Sequence, residues 1–337
     1  MRDVYFAEEG FGDWMHQVVE PYLEEHCGEG YFWSQDGVSI HYKQYRLETA
    51  EKCVVISHGF CEFAEKYNEF IYYLLQNGVS VYIAEHRGHG YSGRRVSDPE
   101  MIHVADYQEY VKDFVRFVES VVVPKEEHRI LFAHSMGGAV AAFVLEQYPQ
   151  LFERAILSSP MCRMQTGRYP TWLAGGIAGF CRRIGRGASY APGQGGFRET
   201  PDFEGSSCLS RARYEYIFEK RLENDRYRTY GGSYAWVHAG IKAGRKLMKK
   251  SNLRKIKIPL LVFAAGCDHM VDNDAIAQFV NGIQQAELIV VHDAKHEIFH
   301  AGITVRRNYY EKIFTFLEKE DAYEGENEQI RKILGTL

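Results

Sequence analysis

Short apolar runs alternate with longer amphipathic stretches along most of the chain. Residues 53–57, 80–85, 129–134, 154–159, 259–265 and 286–292 read as strands. Residues 64–77, 105–122, 136–148, 273–284 and 303–319 read as helices between and after them. This alternation predicts an α/β fold, a mostly parallel sheet with helices on both faces. Ahead of it, residues 2–26 are helix-like, with Trp14, Val18, Val19 and Leu23 as the apolar face. Residues 31–46 read as a hairpin turning at Asp36-Gly37. The tail from Asp321 is polar, and residues 330–334 form a last amphipathic piece expected to dock on the core.

The alternation breaks between residues 161 and 250. Glycines at 167, 175, 176, 179, 185, 187, 193, 195 and 196 suggest loops and short helices there. In this segment Lys and Arg number 17 and Asp and Glu 7, an excess of ten, although the whole chain carries −5. The expected organisation is a core of residues 1–160 and 251–337 with an inserted cap, or lid, over 161–250.

Candidate chemistry centres on Ala133-His134-Ser135-Met136-Gly137-Gly138. A buried strand runs into a Ser among small residues and then into a helix. This is a variant of G-x-S-x-G, a turn tight enough to expose a nucleophilic hydroxyl above the sheet. The N–H of Met136, at the helix N-terminus, is placed to stabilise an oxyanion. Gly266-Cys267-Asp268 and the loop containing His296 each follow a later strand, the chain order of a Ser–acid–His triad. Asp272 is the nearest competitor for the acid. His58-Gly59-Phe60 follows the strand at 53–57, with the N–H of Phe60 as second oxyanion donor.

With His58-Gly59-Phe60-Cys61-Glu62, Glu85-His86-Arg87-Gly88-His89-Gly90-Tyr91-Ser92 and Lys295-His296-Glu297 in order, the chain resembles the lysophospholipase and monoacylglycerol lipase branch of the α/β-hydrolases. The resemblance covers roughly residues 30–320. Ala133 stands where that branch has Gly, and Glu85 where it has Asp. It implies an eight-stranded sheet with a helical cap inserted after the sixth strand. It also implies Ser135 as nucleophile, Asp268 and His296 as its partners, and Phe60 and Met136 N–H groups as the oxyanion hole. The expected activity is hydrolysis of carboxylic esters of single-chain lipids, with peptidase, thioesterase or acyltransferase chemistry as alternatives on the same triad. A catalytically silent binding protein on this fold is a further alternative. Met161, Met164, Trp172, Tyr234 and Trp236 are candidates for an acyl channel in the cap. Arg182, Arg183 and Arg186 form a dense basic cluster in it, suited to an anionic membrane surface or a substrate phosphate.

His296-Glu297-Ile298-Phe299-His300 also spells H-E-x-x-H. A zinc protease sets that motif inside a helix and adds a third ligand downstream. Here it follows a strand closely and runs into Ala301-Gly302, so no metal and no cofactor is expected. His86-Arg87-Gly88-His89 reads as a turn held by hydrogen bonds. The modest charge gives no reason to expect nucleic acid. Seven Cys without C-x-x-C spacing suit a reducing compartment. With no signal-type run at residues 1–9, the expectation is a cytoplasmic protein.

Overall fold

The structure, a computed structural model, describes residues 8–167 and 169–319. The tail from Asp321, residues 330–334 and residues 1–7 lie outside them.

Among the described residues ten strands are formed: β1 (Cys27–Trp33), β2 (Ser39–Tyr45), β3 (Lys52–Ser57), β4 (Ser80–Ala84), β5 (Met101–Ile102), β6 (His128–His134), β7 (Arg154–Ser158), β8 (Gly231–Gly232), β9 (Leu260–Ala265) and β10 (Ala286–Val291). Eight make one sheet in the order β1-β2-β4-β3-β6-β7-β9-β10. It is parallel from β4 to β10, and the hairpin β1–β2 joins β4 antiparallel. The hairpin turns at Gly37 (φ 78°), as Asp36-Gly37 predicted, but β1 begins earlier, at Cys27.

The helices are α1 (Phe11–Trp14), α2 (Glu20–His26), α3 (Asn68–Gln76), α4 (Gln108–Phe117), α5 (Met136–Gln147), α6 (Thr171–Arg183), α7 (Arg211–Glu223), α8 (Tyr234–Leu247), α9 (Lys250–Leu253), α10 (Asn273–Asn281) and α11 (Ile303–Glu318). A π-turn at Met15–Val19 joins α1 to α2. It shifts the inward stripe to Phe11, Met15, Val19 and Leu23, and leaves Val18 exposed rather than on the apolar face.

Successive strand residues point to opposite sides of the sheet, so the central strands divide between two cores. Val55, Leu131, Leu157 and Val262 pack with α4, α5 and α10; Val54, Ile130, Ile156 and Leu261 pack with α3 and α11. The central strands are buried on both faces, which is why they read as continuous apolar runs.

Between β7, the sixth strand of the sheet in chain order, and β9 lie α6, α7, β8, α8 and α9. The Gly-rich run at 173–180 is helical, because α6 lies against α8: a Cβ at Gly179 would stand 3.0 Å from the His238 ring. Turn roles fall instead to Gly167, Gly185 and Gly193, all with positive φ. Arg213 of α7, fully buried, donates to Glu69 of α3 at 2.6 and 2.8 Å, and Arg306 of α11 reaches the same carboxylate at 2.7 Å. These bonds fix α7 to the core, since a buried ion left without its partner costs about 3–5 kcal/mol.

Candidate active site

Ser135 sits at the strand-to-helix turn between β6 and α5 with φ 51° and ψ −117°. A non-glycine residue at positive φ is strained, and the surroundings hold it there. Its N–H donates to Ser158 O (3.1 Å), and its carbonyl accepts from Gly138 (2.9 Å) and Met161 (2.8 Å). A Cβ at Gly137 would lie 2.2 Å from Ser57 O, so only glycine lets α5 start this close to the end of β3. Met136 begins α5, and Phe60 lies on the turn after β3. Among the described residues, neither the Met136 nor the Phe60 backbone N–H has an acceptor. An oxyanion needs two such donors.

Asp268 follows β9, and His296 lies beyond β10. His296 Nδ1 donates to Asp268 Oδ2 at 2.6 Å. Asp268 Oδ1 accepts from the N–H groups of Met270 (2.8 Å) and Val271 (3.1 Å), which fixes the carboxylate. Burial alone would raise the Asp268 pKa, but the bonds from His296 and the two amides hold it below the usual range. Burial lowers the pKa of His296, so the imidazole is neutral near pH 7 with Nε2 unprotonated. Its ring packs 4.8 Å from that of His134, the residue before Ser135. Asp272 is used elsewhere: it caps α10 through Ala275 N–H (3.1 Å) and pairs with Arg163 (2.8 Å).

A buried ion network missed from sequence lies beneath these groups. Glu62 accepts from the Gly59 N–H, from Tyr67 OH (2.6 Å) and from Lys66 Nζ (2.9 Å), and lies 3.1 Å from His134 Nδ1. Lys66 also donates to Glu297 Oε1 at 2.7 Å, and Glu297 Oε2 holds His300 Nδ1 at 2.9 Å. One ammonium thus links the turn after β3, the strand end before Ser135 and the loop of His296. The available signals were the i,i+4 spacing of Glu62 and Lys66 and the place of Glu62 and Glu297 in the motifs that carry the family resemblance.

The H-E-x-x-H run does not form a zinc helix. Residues Ile298–His300 make a single 3-10 turn, and His296 and His300 bind different carboxylates. Cys208, Glu297 and His300 do bring donor atoms within 4.8 Å of one another. The Lys66 ammonium already holds Glu297, though, and burial pushes the Cys208 thiol up to about 12. His86 and His89 bond to Ser57 Oγ and Arg87 O, as a structural turn requires. All seven cysteines are unpaired.

Of the candidate channel residues, Met161, Met164 and Trp236 come together. Both methionine methyls abut Gly240 of α8, and Met164 bridges to Val271, beside Asp268. Trp236 is buried with its ring 4.1 Å from that of Phe60. Tyr234 is half-buried at the start of α8. Trp172 is not with them: it is 68% exposed on α6. Arg182, Arg183 and Arg186 are exposed at the C-terminal end of α6, beside exposed Phe180 and Ile184 and at the opposite end from Trp172. Among the described residues no helix is long and apolar enough to cross a membrane.

The chain is similar to several known proteins. The family model Hydrolase_4, described as serine aminopeptidase, S33, matches residues 48–301. Lysophospholipase L2 of Escherichia coli (strain K12) is 28% identical over 306 residues, covering 88% of this chain and 89% of that protein. The monoacylglycerol lipase of Mycolicibacterium smegmatis is 32% identical over 143 residues, 41% of this chain and 48% of its own. A soluble variant of monoglyceride lipase from Saccharomyces cerevisiae, solved with a substrate analog, shares the fold with TM-score 0.68 at 18% identity, covering 87% of this chain and 96% of that one.

Proposed function

We propose, for a chain that belongs to the Hydrolase_4 (serine aminopeptidase, S33) family of α/β-hydrolases, that it hydrolyses carboxylic esters of single-chain lipids, lysophospholipids or monoacylglycerols, through an acyl-enzyme on Ser135. The observation that carries the chemistry is the 2.6 Å His296–Asp268 bond, on a loop packed against the residue before a strained serine. Asp268 fixes the tautomer that leaves His296 Nε2 free to take the Ser135 proton. Ser135 Oγ then attacks the ester carbonyl. The N–H groups of Phe60 and Met136 stabilise the resulting oxyanion. His296 gives the proton to the departing alcohol, and water repeats the sequence on the acyl-enzyme. The lipid class rests on relatives named lysophospholipase and monoacylglycerol lipase.

In this reading residues 161–250 are the cap, and residues 1–160 and 251–337 the hydrolase core. Met161, Met164 and Trp236 stand on the substrate side of the cap, while the Tyr234 hydroxyl meets Cys181 and Arg186 at the outer end of α6. Trp172, Phe180 and Ile184, with Arg182, Arg183 and Arg186, form the cap's outward face. An apolar stripe beside cations suits peripheral contact with an anionic membrane, from which a single-chain lipid would be drawn.

Fluorophosphonate labelling, located by peptide mass spectrometry, tests the nucleophile, and a panel of esters, thioesters and peptides tests the reaction class. Labelling at Ser135 with ester turnover is expected. Preferential turnover of peptides or thioesters would replace the ester reading.

A further inference from the structure

The turn that carries Phe60 is held from two sides. On the core side, Glu62 accepts the Gly59 N–H, and a Cβ at Gly59 would stand 2.8 Å from Glu62 and 2.9 Å from His134. On the other side the contacts come from the cap. Trp236, in the first turn of α8, places its ring 4.1 Å from the Phe60 ring. Arg221, in the last turn of α7, donates from Nη2 to Cys61 O at 2.7 Å. Cys61 is itself a non-glycine residue at positive φ, 57°. That left-handed conformation persists only while its surroundings hold it.

Both cap residues are themselves fixed. The Ser233 hydroxyl caps α8 by accepting the Trp236 N–H (3.2 Å) and bonds His103 (3.0 Å), while the Ser233 N–H bonds Ile102 O (2.9 Å). Gly232 lies so close that a Cβ there would be 2.9 Å from the Trp236 ring and 3.4 Å from the Phe60 ring. Arg221 shares α7 with Arg213, which Glu69 anchors to the core.

We infer that Arg221 and Trp236 are positioning residues that clamp the Phe60–Cys61 turn, so that the cap, besides shaping the acyl channel, aligns one of the two oxyanion donors. Neither residue needs to touch the reacting atoms. Trp236 fixes the Phe60 side chain, Arg221 fixes the next carbonyl, and the Phe60 N–H between them is thereby aimed. The inference rests on the Ser135 reading of the site.

The test measures Arg221→Met, Arg221→Lys and Trp236→Phe with an acetate ester, whose acyl group is too short to need a channel, and with a long-chain ester. Loss of a whole oxyanion donor costs about 100- to 1,000-fold in kcat, so misalignment should cost about 10- to 100-fold. The expected result is a kcat loss of that size for Arg221→Met on both esters, with KM little changed. Affinity for a boronic acid, which places an anionic oxygen in the hole, should fall in parallel. Arg221→Lys should recover part of the loss, Trp236→Phe should lose less than Arg221→Met, and thermal midpoints should stay near that of the unmodified protein. Unchanged kcat on acetate, with a raised KM for the long ester only, would make these residues mere channel wall and overturn the clamp. Fluorophosphonate labelling of the unmodified protein keeps the two readings apart. A labelled protein with unimpaired variants refutes the clamp alone, while an unlabelled one refutes the Ser135 reading and the clamp with it.

Discussion

Asp268 and His296 share a 2.6 Å hydrogen bond, while Asp272, one helical turn beyond Asp268, caps α10. Substitution separates the two acids. Asp268→Asn should keep the fold and lose about 10,000-fold in kcat, because the amide no longer favours the working tautomer. Asp272→Asn should retain activity, since Asn caps a helix about as well and only the half-exposed pair with Arg163 is weakened. Steady-state kinetics on both variants decide it. An inactive Asp272→Asn beside a working Asp268→Asn would reassign the acid.

Ser135→Ala should abolish ester hydrolysis, a loss on the order of a million-fold. The substitution removes one hydroxyl from a strained turn, so the thermal midpoint should hold. Residual turnover above about a tenth of normal would rule Ser135 out as nucleophile.

His296→Ala should be inactive and His300→Ala should not. His300 bonds Glu297 but not Asp268, so its loss should appear as stability, about 1–3 kcal/mol for a buried polar partner removed. Denaturant melts and kinetics on the two variants distinguish these roles. Equal kinetic loss in both, with one zinc bound per chain, would revive the metal reading.

The pH dependence has a definite sign. Burial lowers the pKa of His296, which in the proposed mechanism acts when neutral, so the acid limb of kcat/KM should inflect below about 6.5. Stability follows the same direction. His58, His86, His89, His296 and His300 are all buried with lowered pKa values. As pH falls below about 6.5 the unfolded chain takes up protons that the folded chain resists, so folding weakens. Each such group contributes up to about 1.4 kcal/mol per pH unit. Thermal melts from pH 8 to pH 5 should show a flat region and then a decline beginning near pH 6.5. Melts unchanged to pH 5 would show that these histidines charge without cost.

Substrate preference should follow the cap. Each methylene buried is worth about 0.8 kcal/mol, so kcat/KM should rise from acetyl to octanoyl esters until the channel is full. Neutralising Arg182, Arg183 and Arg186 should weaken binding to anionic vesicles while leaving turnover of a soluble short ester intact. If lysophospholipid turnover falls much more than monoacylglycerol turnover in detergent, the cluster holds a substrate phosphate instead.

What was legible in the sequence was mostly local. The central strands declared themselves because burial on both faces removes polar alternation, and the elbow did so because Ser135, Gly137 and Gly138 lie within four residues. The candidate acid and base, Asp268 and His296, stood out through chain order, and the fold brings them within 2.6 Å. Contacts between distant segments were not. Lys66 and Glu297 are 231 residues apart, and Arg213 and Glu69 are 144 apart, so nothing in either neighbourhood announces the other. Trp172 and Trp236 show the same limit. Both are aromatic residues within 161–250, yet one faces solvent and the other packs on Phe60. The π-turn at Met15–Val19 was hidden too, since one extra residue per turn rotates the buried stripe without changing composition.

The placement of Lys66 between Glu62 and Glu297 bears on how this molecule can vary over generations. Either acid alone can be exchanged only at the expense of a buried cation, and Lys66 alone only by leaving two carboxylates enclosed together. The workable routes alter several members at once, through apolar triplets of matching volume or a charge-reversed set. Positions 62, 66 and 297 should therefore be inherited as a unit, drifting together across related genes while the exposed residues around them drift singly.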